Sequence, residues 1–177
     1  LPSWPGAARM LSVAANADGY FYLFSGVDLV VNSLGQTERV YLKDAYRYDP
    51  SLQQWTSLPD LPKPVAAAPS PAIESNGFLI LIGGDTGEYA TQSLHLQDNH
   101  PGFSRQIFSY SLASNRWDSR EEFPADIRPK ASHNPKGSTH PPVTTPLVKW
   151  RNNYVLIGGE IRPGVRTPSV VSLTLHP

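Results

Sequence analysis

Three apolar runs, each opened by a turn signal and closed by a pair of small residues, recur along the chain. They span residues 18–26, 76–84 and 152–159. Another apolar stretch precedes each run, at residues 10–16, 66–74 and 143–150. The Asp18-Gly19 and Asn76-Gly77 dipeptides favour two-residue hairpin turns, because both turn residues there need a positive φ. Each unit is therefore predicted to open with a β-hairpin.

A strand carrying Tyr and a strand carrying Trp follow the hairpin in the first two units. The corresponding segments are 44–49 and 54–59 in the first unit, and 106–111 and 115–118 in the second. Tyr48 and Trp55 are seven residues apart, as are Tyr110 and Trp117. The third unit continues with one further strand, at 169–175. The order of hairpin, small pair, Tyr strand and Trp strand is that of the kelch repeat, a four-stranded propeller blade.

The chain is thus predicted to be all-β, a kelch-type β-propeller of about three four-stranded blades from a six-bladed ring. The predicted blades cover residues 7–60, 64–120 and 141–177, the last of them incomplete. The small pairs let inner strands approach closely, and the Trp residues fill the wedge between blades. An unrelated meander or sandwich is the alternative fold. Because propellers close as rings, we expect further blades from the rest of the protein or from another copy.

Long loops are predicted where the repeats exceed the usual kelch length of about 50 residues. The sequence suggests a polar loop between Gly26 and Lys43 and a longer one between Asp85 and Ser104. A Pro-, Lys- and His-rich loop at 121–140 joins the second and third units. Function in propellers concentrates in such loops on one face.

Composition excludes several classes of function. Lys+Arg and Asp+Glu both number 15, so the basic excess of a nucleic-acid-binding surface is missing. No apolar run approaches the length of a membrane span. With no cysteine, the Cys–Tyr cofactor of the kelch-fold copper galactose oxidases cannot form here. The five histidines (His95, His100, His133, His140 and His176) lack metal-ligand spacing, so neither a metal nor another cofactor is expected.

A specific motif lies in the third unit, where residues 158–167 read Gly-Gly-Glu-Ile-Arg-Pro-Gly-Val-Arg-Thr. It resembles the G-E-x-[KR]-P-G-x-R-T stretch of the N-acetylneuraminate epimerase (sialic acid mutarotase) family, and residues 8–10 and 44–55 extend the resemblance. The family is a six-bladed propeller of about twice this length. The resemblance implies a periplasmic or secreted isomerase of carbohydrate metabolism that accelerates anomer interconversion of an acidic sugar.

By this resemblance the catalytic pair is Glu160 and Arg166. A carboxyl group can move a proton between the anomeric hydroxyl and the ring oxygen. A guanidinium can hold the carboxylate that sialic acid carries on the anomeric carbon through two parallel hydrogen bonds. The alternative is a surface salt bridge between the two side chains.

Four further residues are candidates for substrate binding: Arg9, Asp85, His100 and Arg162. Asp85 occupies the position of Glu160 in the second unit, and Arg162 fills the basic position of the motif. The alternatives are a structural Arg9, an Asp85 that caps a turn and a solvated loop His100.

Two features depart from the family. The loop after Asp85 is shorter, and Ser70 stands where the family carries a His. A different acidic sugar is therefore an open alternative. The rival class of function is a non-catalytic kelch module that binds a protein or a glycan.

Overall fold

The computed structural model describes residues 1–96, 99–124 and 141–175. Within these ranges the chain is built from thirteen β-strands and one four-residue helical turn, α1 (Ser93–Leu96). The predicted all-β class is therefore confirmed. Most of the predicted 121–140 loop lies outside the described residues, as do His133, His140 and His176.

The strands form three antiparallel meanders that succeed one another along the chain. The first contains β1 (Val13–Ala17), β2 (Tyr20–Val31), β3 (Thr37–Asp49) and β4 (Gln54–Leu58). The second contains β5 (Ile73–Ser75), β6 (Phe78–Ile82), β7 (Ile107–Ser111) and β8 (Arg116–Ser119). The third contains β9 (Leu147–Trp150), β10 (Asn153–Ile157) and β13 (Val170–Leu173), with the ribbon β11 (Glu160–Arg162) and β12 (Val165–Arg166) between β10 and β13. These sheets are the blades of the predicted kelch-type propeller.

Local sequence explains how each blade starts. In the first two blades the hairpin turns on Asp18-Gly19 and Asn76-Gly77, whose φ angles are 50° and 80°, and 50° and 75°. Positive φ at both turn residues matches the right-handed twist of the flanking strands. The predicted opening hairpins are confirmed in all three blades by the β1–β2, β5–β6 and β9–β10 pairings.

The small pairs bring two backbones together at one end of each blade. A Cβ on Gly84 would lie 2.7 Å from the Cα of Val65, and one on Gly159 would lie 2.7 Å from the carbonyl oxygen of Val143. Only a residue without a Cβ allows this approach. Beyond each pair a single bridge fixes the next residue: Met10 with Val27, Ala66 with Asp85, and Val143 with Glu160.

The blade ends are also joined to one another. The backbone N–H of Ala67 donates to the carbonyl of Leu11 at 2.8 Å, and the N–H of Thr144 donates to the carbonyl of Ala67 at 2.8 Å. The three residues share positive φ angles of 62°, 56° and 54° in chain order. This chain of hydrogen bonds places Val27, Asp85 and Glu160 at equivalent positions around one rim.

The predicted polar loop between Gly26 and Lys43 is wrong. Strand β2 continues to Val31 and β3 begins at Thr37, and the two pair from Val27–Tyr41 to Val31–Thr37. The apolar and β-branched residues on both sides favour strand. Asn32 makes the turn, because its Oδ1 accepts the N–H groups of Leu34 and Gln36. We call residues 27–42 the hairpin arm.

Two apolar clusters lie between consecutive blades. The first joins β1–β3 of blade one to β6 and β7 of blade two, with Phe24, Leu79 and Leu81 fully buried. The Trp117 ring of blade two packs edge-on against the Phe24 ring, with 5.4 Å between the ring centroids. Its indole N–H donates to the carbonyl oxygen of Pro59 at 2.8 Å. It therefore fills the wedge between blades as predicted. The second cluster joins blades two and three around Ile73 and Leu156.

The third blade leaves large apolar side chains exposed: Val148, Trp150, Ile157 and Val170 are 47%, 56%, 51% and 64% accessible. Monomeric proteins rarely expose such contiguous apolar surface. We therefore expect the native particle to contain more blades than this chain supplies. Light scattering should give a mass well above 19.4 kDa. A monodisperse 19.4 kDa particle with one cooperative unfolding transition would contradict the prediction.

Candidate functional site

A cavity of about 460 Å³ opens at the rim where the three blades meet. Its wall includes the three equivalent rim residues Val27, Asp85 and Glu160. The hairpin arm and the loop after Asp85 supply further polar groups, including Arg39, Tyr41 and His100. The size suits a small organic ligand.

Glu160 begins β11 directly after the second glycine of its blade. Its side chain is 18% exposed. The carboxylate atom Oε1 accepts the N–H of Gly164 at 2.6 Å and lies 2.8 Å from Nη1 of Arg166. Both contacts use the same oxygen, and Oε2 accepts no hydrogen bond from any described residue. Glu160 is therefore a fixed carboxylate with one oxygen available at the cavity.

Arg166 stands directly opposite Glu160 in the β11–β12 ribbon, across the Pro163-Gly164 turn. Its side chain is 61% exposed and does not line the cavity. The structure thus brings the predicted catalytic pair into contact, with Arg166 on the outer side of Glu160.

Asp85 lines the cavity and also caps a turn. Its Oδ1 accepts the N–H of Gly87 at 2.9 Å, and its Oδ2 accepts the hydroxyl of Tyr41 at 2.7 Å. Burial raises the pKa of Tyr41 to about 12, helped by the hydrogen bond to the Asp85 carboxylate. The Tyr41 ring packs against Gly87, where a Cβ would collide with it. The hairpin arm of blade one is thereby fastened to blade two across the cavity.

His100 is 5% exposed and lines the cavity, so it is not a solvated loop residue. Its Nδ1 accepts the N–H of Gly102 at 3.1 Å, and its ring lies between Tyr89 and Phe103. Burial lowers its pKa from 6.5; the charge of Asp85 opposes this shift and that of Arg162 adds to it. The imidazole is therefore neutral at pH 7, with Nε2 carrying the proton.

This lowered pKa predicts a loss of stability in mild acid. The unfolded chain takes up the His100 proton at higher pH than the folded one, so stability is complete above about 6.5 and falls as pH drops through the folded pKa. Urea unfolding at a series of pH values measures this effect. His100→Gln should flatten the fall, whereas His95→Gln, an exposed histidine of the same loop, should leave the wild-type profile. Identical profiles for all three proteins would contradict the assignment.

Arg9 does not reach the cavity. Its side chain is 1% exposed and forms two hydrogen bonds with the carboxylate of Asp44, at 2.5 and 2.6 Å. It also donates hydrogen bonds to the carbonyls of Ala7 and Ser25 and lies over the Trp4 and Tyr46 rings. The geometry therefore favours the structural alternative for Arg9 over the predicted substrate contact.

Arg162 is 2% exposed and is absent from the cavity wall. It faces Val165 in the β11–β12 ribbon, and its charge acts on His100. The structure therefore places it near the site as a buried charge.

Arg39 and Tyr41 are polar cavity residues that the sequence analysis missed. Their segment was assigned to a loop. The β-branched and aromatic residues Thr37, Val40 and Tyr41 are the signal that identifies it as a strand.

In residues 1–96, 99–124 and 141–175 no cluster of His, Cys, Asp and Glu is suited to holding a metal ion. Over the same residues, no helix is long and apolar enough to cross a membrane.

The chain has a kelch-type β-propeller fold, and the Kelch motif matches residues 32–62. The chain is similar to curated proteins named N-acetylneuraminate epimerase. That of Haemophilus influenzae (strain 86-028NP) is 28% identical over 94% of this chain, and that of Yersinia enterocolitica is 25% identical over 96%. The resemblance noted in the sequence is thus confirmed.

The solved structure of YjhT superimposes on 98% of the chain with a TM-score of 0.70 and 24% sequence identity. This likeness supports the fold. The chain spans 45% of the length of each of the two epimerases and 52% of the YjhT chain.

Proposed function

We propose that this protein is an isomerase that accelerates the interconversion of the anomers of N-acetylneuraminate or a related acidic sugar. The observation that carries the proposal is the state of Glu160. Its carboxylate is held on Oε1 by Gly164 and Arg166, while Oε2 is available at a cavity of suitable size. The names of the relatives support the class of reaction.

Glu160 performs the chemistry as a proton shuttle. As a carboxylate it takes the proton of the anomeric hydroxyl, and in the same event the bond between the anomeric carbon and the ring oxygen breaks. The hydroxyl oxygen becomes a carbonyl, and the ring oxygen leaves as a hydroxyl with the proton that Glu160 returns. Rotation about the neighbouring carbon–carbon bond exposes the other carbonyl face, and the reverse sequence closes the opposite anomer.

The surrounding residues support this role. The Gly164 N–H and the Arg166 guanidinium hold the carboxylate in one orientation. This lowers the entropic cost of reaching the reactive geometry. The neutral His100 offers an N–H donor to a sugar hydroxyl. No cofactor is required, because the reaction only moves a proton and exchanges one carbon–oxygen bond. A periplasmic or secreted location remains a proposal from the resemblance.

Anomer exchange of freshly dissolved N-acetylneuraminate, followed by proton NMR, tests the function. Protein should shorten the approach to anomeric equilibrium in proportion to its concentration, at a pH where the spontaneous reaction is slow. Heat-denatured protein supplies the background rate. Unaltered exchange together with saturable sugar binding would instead favour the non-catalytic kelch module that binds glycans.

A further inference from the structure

The charges on the cavity wall are unevenly distributed. Two carboxylates, Asp85 and Glu160, line the cavity, and His100 beside them is neutral at pH 7. Of the described residues that line it, Arg39 alone carries a fixed positive charge. An acidic sugar must place its carboxylate somewhere in this space, and a buried or half-buried anion needs a cationic partner.

The hairpin arm holds Arg39 in place. Arg39 lies two residues before Tyr41 on β3, so both side chains leave the same face of the strand. Tyr41 is anchored by its hydrogen bond to Asp85 and by packing on Gly87. The guanidinium lies close enough to the Tyr41 hydroxyl to oppose the rise in its pKa. Arg39 forms no ion pair with any described residue, so the donors that do not face the Tyr41 hydroxyl are available to a ligand.

The other arginines near the site are committed elsewhere. Arg166 is paired with Glu160 and lies outside the wall, and Arg9 is paired with Asp44. Arg162 is 2% exposed. Among the guanidinium groups of the described residues, Arg39 is therefore the one positioned to bind a carboxylate inside the cavity.

We propose that Arg39 recognises the substrate carboxylate and makes this site selective for acidic sugars, while Arg166 positions Glu160. The inference rests on the proposed function for the identity of the ligand. Arg39 and Glu160 line the same cavity from different blades, so blade one holds the sugar at its carboxylate while Glu160 of blade three takes the proton of its anomeric hydroxyl.

Binding measurements with N-acetylneuraminate and its methyl ester test the assignment, because the ester keeps the sugar and loses the charge. Arg39→Gln should raise the Kd for the acid by about tenfold to a hundredfold, the usual value of a hydrogen-bonded ion pair, and change that for the ester by less than about twofold. Arg39→Lys should fall between, since it keeps the charge without the fork. Arg116→Gln, which removes an exposed arginine on β8, is the matched control and should bind both ligands as the wild type does.

Three outcomes decide between the two hypotheses. Loss of acid selectivity in Arg166→Gln rather than in Arg39→Gln overturns the assignment and leaves the proposed function intact. Wild-type protein that binds the acid through Arg39 but never accelerates exchange overturns the proposed function and leaves the assignment intact. Wild-type protein that binds neither ligand at millimolar concentration overturns both.

Discussion

Replacing Glu160 with Gln should slow anomer exchange by about 10²–10⁴-fold, the usual contribution of a general acid–base group. The amide keeps the shape of the carboxylate and can still accept the Gly164 N–H, but it cannot carry a proton between two oxygens. Sugar binding should therefore be largely retained. The NMR exchange assay gives the rate, and equilibrium binding of the sugar gives the affinity.

The matched control is Asp85→Asn, which changes the equivalent rim carboxylate of blade two. Asp85 already accepts hydrogen bonds on both oxygens, so it is poorly suited to proton transfer. Its variant should lose far less rate than Glu160→Gln. Equal losses in the two variants, or an unaltered rate in Glu160→Gln, would remove Glu160 from the reaction.

Asp44→Ala should lower the free energy of unfolding by about 3–5 kcal/mol, because it leaves an unpaired charge inside the protein. The Arg9 side chain is 1% exposed, and Asp44 is its one carboxylate partner among the described residues. Burial acts to raise the pKa of Asp44, but hydrogen bonds from Arg9 and Tyr46 outweigh it and lower the pKa below 3.8. The pair therefore stabilises the fold above that pH, and the stabilisation disappears as pH falls through the lowered value.

Urea unfolding measures this loss. Asp118→Ala removes an exposed carboxylate on β8 and should change stability by less than about 0.5 kcal/mol. The exchange rate per folded particle should remain that of the wild type in both variants. A fall in sugar affinity without loss of stability in Arg9→Met would restore the substrate role that the sequence predicted for Arg9.

Local chemistry explains which parts of the fold could be predicted. The hairpins at Asp18-Gly19 and Asn76-Gly77 depend on neighbouring residues only, so their signal is complete in the sequence. The hairpin arm was missed because the mostly polar residues from Asn32 to Gln36 suggested a loop, whereas β2 and β3 extend up to both sides of this turn.

The site was harder to predict, because its contacts join distant parts of the chain. Arg9 and Asp44 are 35 residues apart, and Tyr41 and Asp85 are 44 residues apart in different blades. The hydrophobic periodicity of the sequence carries no information on such long-range pairings. The motif around Glu160 could be identified because Glu160, Gly164 and Arg166 share one short ribbon.

The repetition of the rim position has an evolutionary consequence. Val27, Asp85 and Glu160 occupy the same bridged backbone position in three successive blades. The main chain at this position therefore accommodates an apolar or an acidic side chain. One repeat offers an apolar surface, one a turn-capping acid and one an acid with a vacant oxygen. A substitution at Glu160, whose hydrogen bond and ion pair lie within its own ribbon, can therefore alter the chemistry of the rim while the blades keep their packing. A repeated blade can thus acquire a new ligand-binding side chain at the rim without a change of fold.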